Sequence, residues 1–222
     1  MIHDSHPDGG TQPLFGLYPA LVTDIVDPDG LGRVEVKFPW LGKDGERDAR
    51  AWATLLSPYA DGDQGFQVMP EVGSQVVVAC EAGNPRRPYV VGACWNGQEK
   101  MPETPAAPNN KRVLKTRSKS VLEFDDTAGA SKITLSTQGG HKLELDEGAQ
   151  TVTLTHLNGA LITINAAGQV EIRANATVEV HAAAVNVHAA AAVFDGIVQC
   201  TTLIASAGVV SPSYTPGAGN VW

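Results

Sequence analysis

Nine pairs of apolar residues, with the two members of each pair two positions apart, dominate the sequence between Val121 and Asp195. In most pairs the residue between the two members is polar or small. Such period-two alternation predicts strands with one apolar face and one polar face. Nine consecutive units of this kind indicate a repeat architecture. The pairs are Leu122/Phe124, Ile133/Leu135, Leu143/Leu145, Val152/Leu154, Ile162/Ile164, Val170/Ile172, Val178/Val180, Val185/Val187 and Ala192/Phe194.

The distance between successive pairs shrinks along the chain. The first residues of neighbouring pairs are 11, 10, 9, 10, 8, 8, 7 and 7 positions apart. Glycine-containing turns separate the early repeats, whereas the later repeats shorten to the glycine-free segments VEVHAAA and VNVHAAA. We therefore predict a stack of strands that narrows toward its C-terminal end.

One chain of strands with a single apolar face cannot bury that face alone. Three chains wrapped about a common axis can, because their apolar rows then meet in the centre. The sequence therefore predicts a homotrimer, with His181 and His188 on the outer, solvated face. The predicted trimer core is Leu143, Leu145, Val152, Leu154, Ile162, Ile164, Val170, Ile172, Val178, Val180, Val185 and Val187.

Residues 14–97 show shorter alternating runs without a helical pattern. Turn signals such as Asp27-Pro28-Asp29-Gly30 separate them. Five or six short strands spaced in this way indicate a small β-barrel. The nearly continuous apolar run Ser74–Cys80 is expected to be fully buried. The predicted strands are Leu17–Ile25, Arg33–Phe38, Ala51–Leu56, Gly65–Met69, Ser74–Cys80 and Tyr89–Trp95.

The remaining segments connect or flank these two regions. Residues 1–13 are polar and aperiodic, which indicates an N-terminal tail. Residues 98–120 contain three prolines followed by five basic residues, and we interpret them as a linker. Alternation is predicted over residues 121–195, and the Gly- and Pro-containing residues 196–222 form the tip.

Composition argues against several classes of function. The formal net charge of −8 disfavours a duplex nucleic-acid site, which needs a basic face. No nucleophile-elbow, zinc-protease or phosphate-binding motif is present in the sequence. Two alternatives stay open: a β-helical, tailspike-type enzyme that degrades polysaccharide with a carboxylate pair in a groove, and an OB-fold barrel that binds single-stranded nucleic acid.

Several barrel segments resemble a known family. VTDIVDPDGLGRVEVKFPWLG, ARAWATLLSPYADGDQGFQVMPEVGSQVVVAC and GNPRRPYVVGACWNG are similar to the OB-fold domain of phage baseplate assembly protein V and of the VgrG spike of type VI secretion. The positions that carry the resemblance are Asp27, Pro28, Leu31, Gly32, Arg33, Val34, Phe38, Pro39, Trp40, Trp52, Pro70, Glu71, Val72, Gly73, Pro85, Pro88 and Gly92.

The resemblance implies an all-β chain, in which an N-terminal OB-fold barrel precedes an intertwined, tapering, trimeric β-helix. It implies a non-enzymatic central spike of a contractile injection system that plugs the tail tube through a hub protein and punctures the target outer membrane. Such a spike is made in the bacterial cytoplasm without a signal peptide and assembled into a particle. Some family members hold iron at the apex through a His-x-His pair. This sequence has none, so we expect no metal or cofactor, and a separate tip protein of the PAAR type becomes an option.

Overall fold

The structure is a computed structural model that describes residues 13–44 and 47–211. The regular elements of the described chain are all β-strands apart from two short 3-10 helices at Pro39–Leu41 and Glu81–Gly83. Among the described residues, no helix is long and apolar enough to cross a membrane. The chain divides into two units at Asn175/Ala176, and the barrel and the long sheet both lie in the first.

The N-terminal part forms a closed five-stranded barrel. Its strands are β1 (Leu17–Asp24), β2 (Arg33–Lys37), β5 (Arg50–Leu55), β8 (Gln75–Cys80) and β9 (Pro88–Ala93). Around the barrel they follow the order β1-β2-β5-β9-β8, with β8 closing onto β1. All neighbours are antiparallel except β5 and β9, which pair in parallel. Two small hairpins interrupt the sequence between barrel strands: β3 (Lys43–Asp44) with β4 (Arg47–Asp48), and β6 (Ala60–Asp61) with β7 (Gln64–Gly65).

Alternate residues of the barrel strands point into a small valine-rich core. Phe38, directly after β2, is the largest side chain of this core. Strand β8 alternates as well, so the prediction that Ser74–Cys80 is fully buried is wrong: Val76 and Val78 point inward, whereas Val77 is only half-buried. The predicted strand Gly65–Met69 is also wrong, because pairing ends at Gly65. The core consists of Ala20, Val22, Val34, Val36, Phe38, Ala53, Val76, Val78 and Val90.

The second part of the first unit is one seven-stranded sheet. Its strands are β10 (Lys111–Lys115), β11 (Val121–Asp125), β12 (Lys132–Ser136), β13 (Lys142–Asp146), β14 (Thr151–Thr155), β15 (Leu161–Ile164) and β16 (Val170–Arg173). They lie in sequence order, and every neighbouring pair is antiparallel. Strands β11 to β14 have five residues each, whereas β15 and β16 have four.

The register of this sheet aligns the apolar pairs into two continuous rows. Leu143 faces Leu154 across β13 and β14, and Leu154 faces Ile162 across β14 and β15. The first apolar row is Phe124, Ile133, Leu145, Val152, Ile164 and Val170. The second apolar row is Leu122, Leu135, Leu143, Leu154, Ile162 and Ile172. Six of the nine predicted pairs therefore form strands on one face.

The predicted linker is too long at its C-terminal end. Strand β10 (Lys111–Lys115) lies within the segment that we interpreted as a linker, and it pairs along its whole length with β11. Leu114 faces Leu122 and extends the second apolar row by one strand. The basic residues obscured this strand. Its two positions on the apolar side are Arg112 and Leu114, and because one of them is charged, the pair does not show the apolar period of two.

The last three apolar pairs do not form strands in the single chain. Within residues 174–211 the backbone has only bends and irregular structure. The prediction of strands at Val178/Val180, Val185/Val187 and Ala192/Phe194 is thus not met by the chain alone. A strand needs a partner for its backbone N–H and C=O groups, and no neighbouring segment of the described chain supplies one here. The predicted tail at residues 1–13 lies almost wholly outside the described residues, as do residues 212–222 of the tip.

Gly148 lies in the turn between β13 and β14, where it touches the turn between β11 and β12. A Cβ atom at this position would lie 2.7 Å from the carbonyl oxygen of Gly129 and 2.9 Å from the Cα of Ala130. We expect Gly148→Ala to destabilise the sheet by about 1–3 kcal/mol, because backbone must shift to admit the methyl group. Thermal unfolding followed by circular dichroism measures this effect.

Gly139→Ala is the matched control for this prediction. Gly139 lies in the preceding turn, between β12 and β13, and a Cβ there would meet nothing within 4 Å. We expect its melting temperature to stay near that of the parent protein. Equal melting temperatures for the two variants would contradict the predicted contact between the turns.

Candidate trimer interface

The two apolar rows form an uncovered face of the long sheet. Leu154, in the middle of this face, is 50% exposed, although both of its cross-strand neighbours are apolar. A concave hollow of about 450 Å³ follows the first apolar row, with Phe124, Ile133 and Val152 among its walls. Completing the burial of such half-exposed side chains is worth on the order of 1 kcal/mol each. The face therefore favours a covering partner.

The opposite face of the sheet is polar, and its charged side chains pair with one another. Its central row is Glu123, Thr134, Glu144, Thr153, Thr163 and Glu171. Ion pairs join this face across and along the strands: Lys132 Nζ lies 2.9 Å from Asp146 Oδ2, Lys142 Nζ lies 2.5 Å from Glu144 Oε2, and Lys111 Nζ lies 3.3 Å from Glu123 Oε1. The two faces thus differ sharply in polarity, which orients the sheet with its polar side toward water.

Hydrogen bonds hold the charges at one margin of the polar face. The backbone N–H of Ala149 donates to Asp146 Oδ1 at 2.8 Å, and together with Lys132 it lowers the pKa of Asp146. Asp146 in turn raises the pKa of Lys132. Thr127 donates its hydroxyl and its backbone N–H to Asp125, which lowers the pKa of that carboxyl. Asp125, Lys132 and Asp146 therefore stay charged at neutral pH.

The structure brings eight of the twelve predicted core residues together. Leu143, Leu145, Val152, Leu154, Ile162, Ile164, Val170 and Ile172 share the uncovered apolar face. Val178, Val180, Val185 and Val187 lie in the second unit, exposed and without regular structure. The same face also includes Leu114, Phe124, Ile133 and Leu135, which were not among the predicted core residues. Leu114 was missed because it lies in a basic run. Arg112 and Leu114 are two positions apart and share one face of the strand, but only Leu114 is apolar.

In the barrel, the predicted motif residues Asp27 and Arg33 form one structural unit. Asp27 follows β1, and its side chain is only 3% exposed. It accepts hydrogen bonds from the backbone N–H groups of Asp29, Leu31 and Arg33 at 3.0–3.2 Å. The Arg33 guanidinium completes the unit through Nε at 3.0 Å and Nη2 at 2.7 Å. Arg33 also lies over the ring of Trp52, with its Cζ 5.8 Å from the ring centroid.

This arrangement predicts an acid-dependent contribution of Asp27 to barrel stability. The Arg33 guanidinium, aided by the backbone donors, holds the pKa of Asp27 well below its ordinary value of 3.8. A carboxylate with a lowered folded-state pKa stabilises the protein above its ordinary pKa, and this contribution is lost as the pH falls below that value. We expect Asp27→Asn to lower the melting temperature by several degrees at pH 7, and the difference from the parent to shrink below pH 4.

Asp29→Asn is the control for this prediction. Asp29 Oδ2 also contacts Arg33, but its side chain is exposed. We expect only a small change in melting temperature, because exposed ion pairs contribute little. Melting curves of the three proteins between pH 7 and pH 3 test both statements, and a pH-independent effect of Asp27→Asn would contradict the electrostatic account.

The FPW motif forms an aromatic corner at the end of β2. Phe38 is buried in the core, Pro39 begins a 3-10 helix, and Trp40 lies outside the core. Trp40 donates its indole N–H to the carbonyl oxygen of Pro19 at 2.8 Å. Its ring stacks on Tyr18 with centroids 4.9 Å apart and meets Phe38 edge-on at 5.8 Å. These three aromatic residues tie β2 to β1.

The other motif residues have separate structural roles. Val34 and Pro88 are buried in the barrel, and Gly92 lies in β9 opposite Val77. Gly73 has a φ of +91°, which disfavours residues other than glycine, and its N–H donates to the carbonyl oxygen of Val22 at 2.8 Å. The remaining ones lie in turns and loops, outside regular strands and helices: Pro28, Leu31, Gly32, Pro70, Glu71, Val72 and Pro85.

Glu71 also connects the barrel to the long sheet. Its Oε2 lies 3.1 Å from Nη1 of Arg117, in the turn between β10 and β11. Glu71 is one of the predicted motif positions, and Arg117 is one of the five basic residues of the predicted linker. Neither pattern predicts that the two side chains meet.

Comparison with known families identifies both parts of the fold. Residues 18–95 match the type VI secretion system/phage-baseplate injector OB domain, and residues 132–192 match the phage baseplate V C-terminal trimerisation domain. Together these two matches cover more than half of the chain. The chain is a phage baseplate V/VgrG-like protein. The five-stranded barrel is its OB domain, and the uncovered apolar face lies largely in its trimerisation domain.

Individual relatives of this chain include a toxin and a spike protein of type VI secretion. The chain is 28% identical over 131 residues to the actin cross-linking toxin VgrG1 of Vibrio cholerae, over 53% of this chain and 12% of the relative. It is 30% identical over 127 residues to the type VI secretion system spike protein VgrG2a of Pseudomonas aeruginosa, over 53% of this chain and 15% of the relative. The match thus spans less than a fifth of the length of these curated relatives.

Proposed function

We propose that this protein is a structural, homotrimeric spike of a phage tail or related injection system. The observation that carries the proposal is the continuous apolar face of the long sheet, most of which lies within a trimerisation domain that follows a closed OB barrel in the chain. Three such faces, turned toward a common axis, bury both apolar rows of each chain. The polar faces then form the surface of a three-sided shaft.

The irregular segment after Arg173 also supports this assembly. Val178, Val180, Val185 and Val187 keep the period of two but have no partner strand in their own chain. In a trimer the other two chains supply those partners, so this region becomes an intertwined β-helix only on assembly. The shorter repeats there, and the four-residue strands β15 and β16 before them, fit a shaft that narrows toward its tip.

The mechanical role follows from this architecture. The barrels would dock onto a hub protein and close the end of the tail tube, while the shaft points at the target envelope. Sheath contraction would then drive the spike through the outer membrane, with or without a PAAR-like tip protein on its end. Strands paired along the whole shaft leave few open edges that could yield under load. Incorporation of the protein into an extracellular particle completes the proposal.

The side chains give no support to the two alternative functions. Most basic groups of the barrel are neutralised by carboxylates: Arg33 by Asp27, Lys37 by Asp48, and Arg50 by Glu35. A groove for single-stranded nucleic acid needs free positive charge. On the shaft, Glu123 and Glu144 each pair with a lysine on a regular surface. We therefore propose no enzymatic role and no nucleic-acid partner.

Particle assembly tests the proposed function. A host strain in which the native gene is replaced by the Leu154→Lys variant should produce tails that lack the spike, or no intact baseplates, in electron micrographs. Thr153→Lys, which changes the polar face of the same strand, should assemble normally. Intact and infective or injection-competent particles with Leu154→Lys would refute the role of the apolar face.

A further inference from the structure

Two histidines meet at the margin of the apolar face. His141 directly precedes β13 and His156 directly follows β14, and these two strands pair with Lys142 opposite Thr155. Their ring centroids are 4.6 Å apart at an interplanar angle of 61°. By strand alternation both rings lie on the side of Leu143 and Leu154, beyond the end of the second apolar row. The proposed spike function does not use this pair.

The separation of the rings suits two ligands of one metal ion. A zinc–imidazole bond is about 2.0–2.1 Å long, so the centre of each ring lies roughly 3 Å from the metal. Two imidazoles in neighbouring coordination positions then have centres roughly 4.5–5 Å apart. The observed 4.6 Å falls in this range. Imidazole nitrogen is a preferred ligand of Zn²⁺ and related transition metals.

Asn158 orients one of these rings. Its Oδ1 lies 2.7 Å from His156 Nδ1 and also accepts the backbone N–H of Ala160 at 3.0 Å. The closer partner, Oδ1, favours the tautomer with the proton on Nδ1 over the one in which Nδ1 accepts the backbone N–H of Asn158 at 3.3 Å. This tautomer leaves the Nε2 lone pair available. Fixing a ligand histidine through its other nitrogen is the usual arrangement at metal sites.

We propose that His141 and His156 form a Zn²⁺-class binding site in each chain. The metal joins the ends of β13 and β14 at the wide part of the shaft, with water in its remaining coordination positions. No group of three or more metal-binding side chains occurs in the described ranges, so the site has two protein ligands per chain. Binding at this position stiffens the hairpin edge next to the apolar face.

Zinc titration of the tag-free, full-length protein tests the site. All proteins carry His3→Ala, which removes a competing imidazole ligand outside the described residues. Isothermal titration should show one Zn²⁺ per chain, and Zn²⁺ should raise the melting temperature. His141→Ala and His156→Ala should each abolish both effects, whereas the control His181→Ala should keep them. If the parent protein shows no saturable zinc binding, or if both histidine variants bind zinc as the parent does, the two rings make only an aromatic contact and the proposal is overturned.

The role of Asn158 gives a second, graded test. Asn158→Ala removes the acceptor for Nδ1 and should weaken zinc binding by about 10- to 100-fold. Asn158→Asp keeps an oxygen acceptor at the same place and should retain the parent affinity or exceed it. Co²⁺ provides a spectroscopic readout, since its visible absorption reports coordination directly. Equal affinities for the alanine and aspartate variants would contradict the orienting role of Asn158.

Discussion

Leu154→Lys should convert the trimer into monomers or aggregates. Leu154 lies at the centre of the apolar face between Leu143 and Ile162, and in a trimer its three copies lose their contact with water. An unpaired ammonium group buried there costs several kcal/mol, and each trimer would carry three of them. Native mass spectrometry measures the result directly. The parent should show three times the 23.3 kDa of one chain, and the variant should show one chain.

Thr153→Lys is the matched control for this experiment. Thr153 is the preceding residue of β14, it lies on the polar face, and its cross-strand neighbours are Glu144 and Thr163. A lysine there gains a carboxylate neighbour and remains in water. The control should therefore stay trimeric with an unchanged melting temperature. If both variants are trimeric, the apolar rows are not the interface; if both are monomeric, strand β14 does not tolerate lysine on either face.

Phe38→Ala should destabilise the barrel by about 3–5 kcal/mol while leaving the trimer intact. Phe38 is 2% exposed and is the largest side chain of the barrel core. Its removal leaves a cavity among small β-branched side chains, which cannot collapse to fill it. Because each 1.4 kcal/mol corresponds to a factor of ten, amide hydrogens of β2 and β5 should exchange about 100- to 4,000-fold faster. Hydrogen-exchange mass spectrometry resolves these peptides separately from the shaft.

Phe66→Ala controls for the loss of an aromatic ring as such. Phe66 follows β7 in an exposed loop, and its hydrogen bonds are made by the backbone: its N–H donates to the carbonyl oxygen of Tyr59 at 2.9 Å, and its carbonyl oxygen accepts the Ser57 hydroxyl at 2.7 Å. Exchange in the barrel should change little in this variant, since surface substitutions are usually within about 0.5 kcal/mol. Unchanged exchange of β2 in Phe38→Ala would contradict the assignment of Phe38 to the core. Exchange in the shaft peptides should stay unchanged in both variants.

Periodic sequence signals proved reliable where one chain can complete the structure. The pairs from Leu122/Phe124 to Val170/Ile172 form strands, since each has a neighbouring strand in the same chain. The family resemblance correctly indicated the OB barrel, although the conformation of single residues such as Asp27 could not be read from it. Its hydrogen bonds depend on how the loop folds back onto Arg33, which local pattern does not encode.

The errors arose where long-range pairing decides the structure. Strand β10 was interpreted as a linker because its lysines and arginine hide the period of two, yet pairing with β11 makes it a strand. The pairs from Val178/Val180 onward carry a clear period but form no strand in the single chain. Alternation specifies which side chains share a face, but it does not supply the backbone partner.

By itself the sequence determined the all-β class, the barrel-then-repeat order and the identity of the apolar face, because these depend on local periodicity and motif spacing. Only the tertiary structure decided that the repeats from 111 to 173 form one antiparallel sheet with two aligned apolar rows. It also placed His141 beside His156 and Glu71 beside Arg117. These contacts follow from strand register and loop closure, which bring together residues that no sequence period connects.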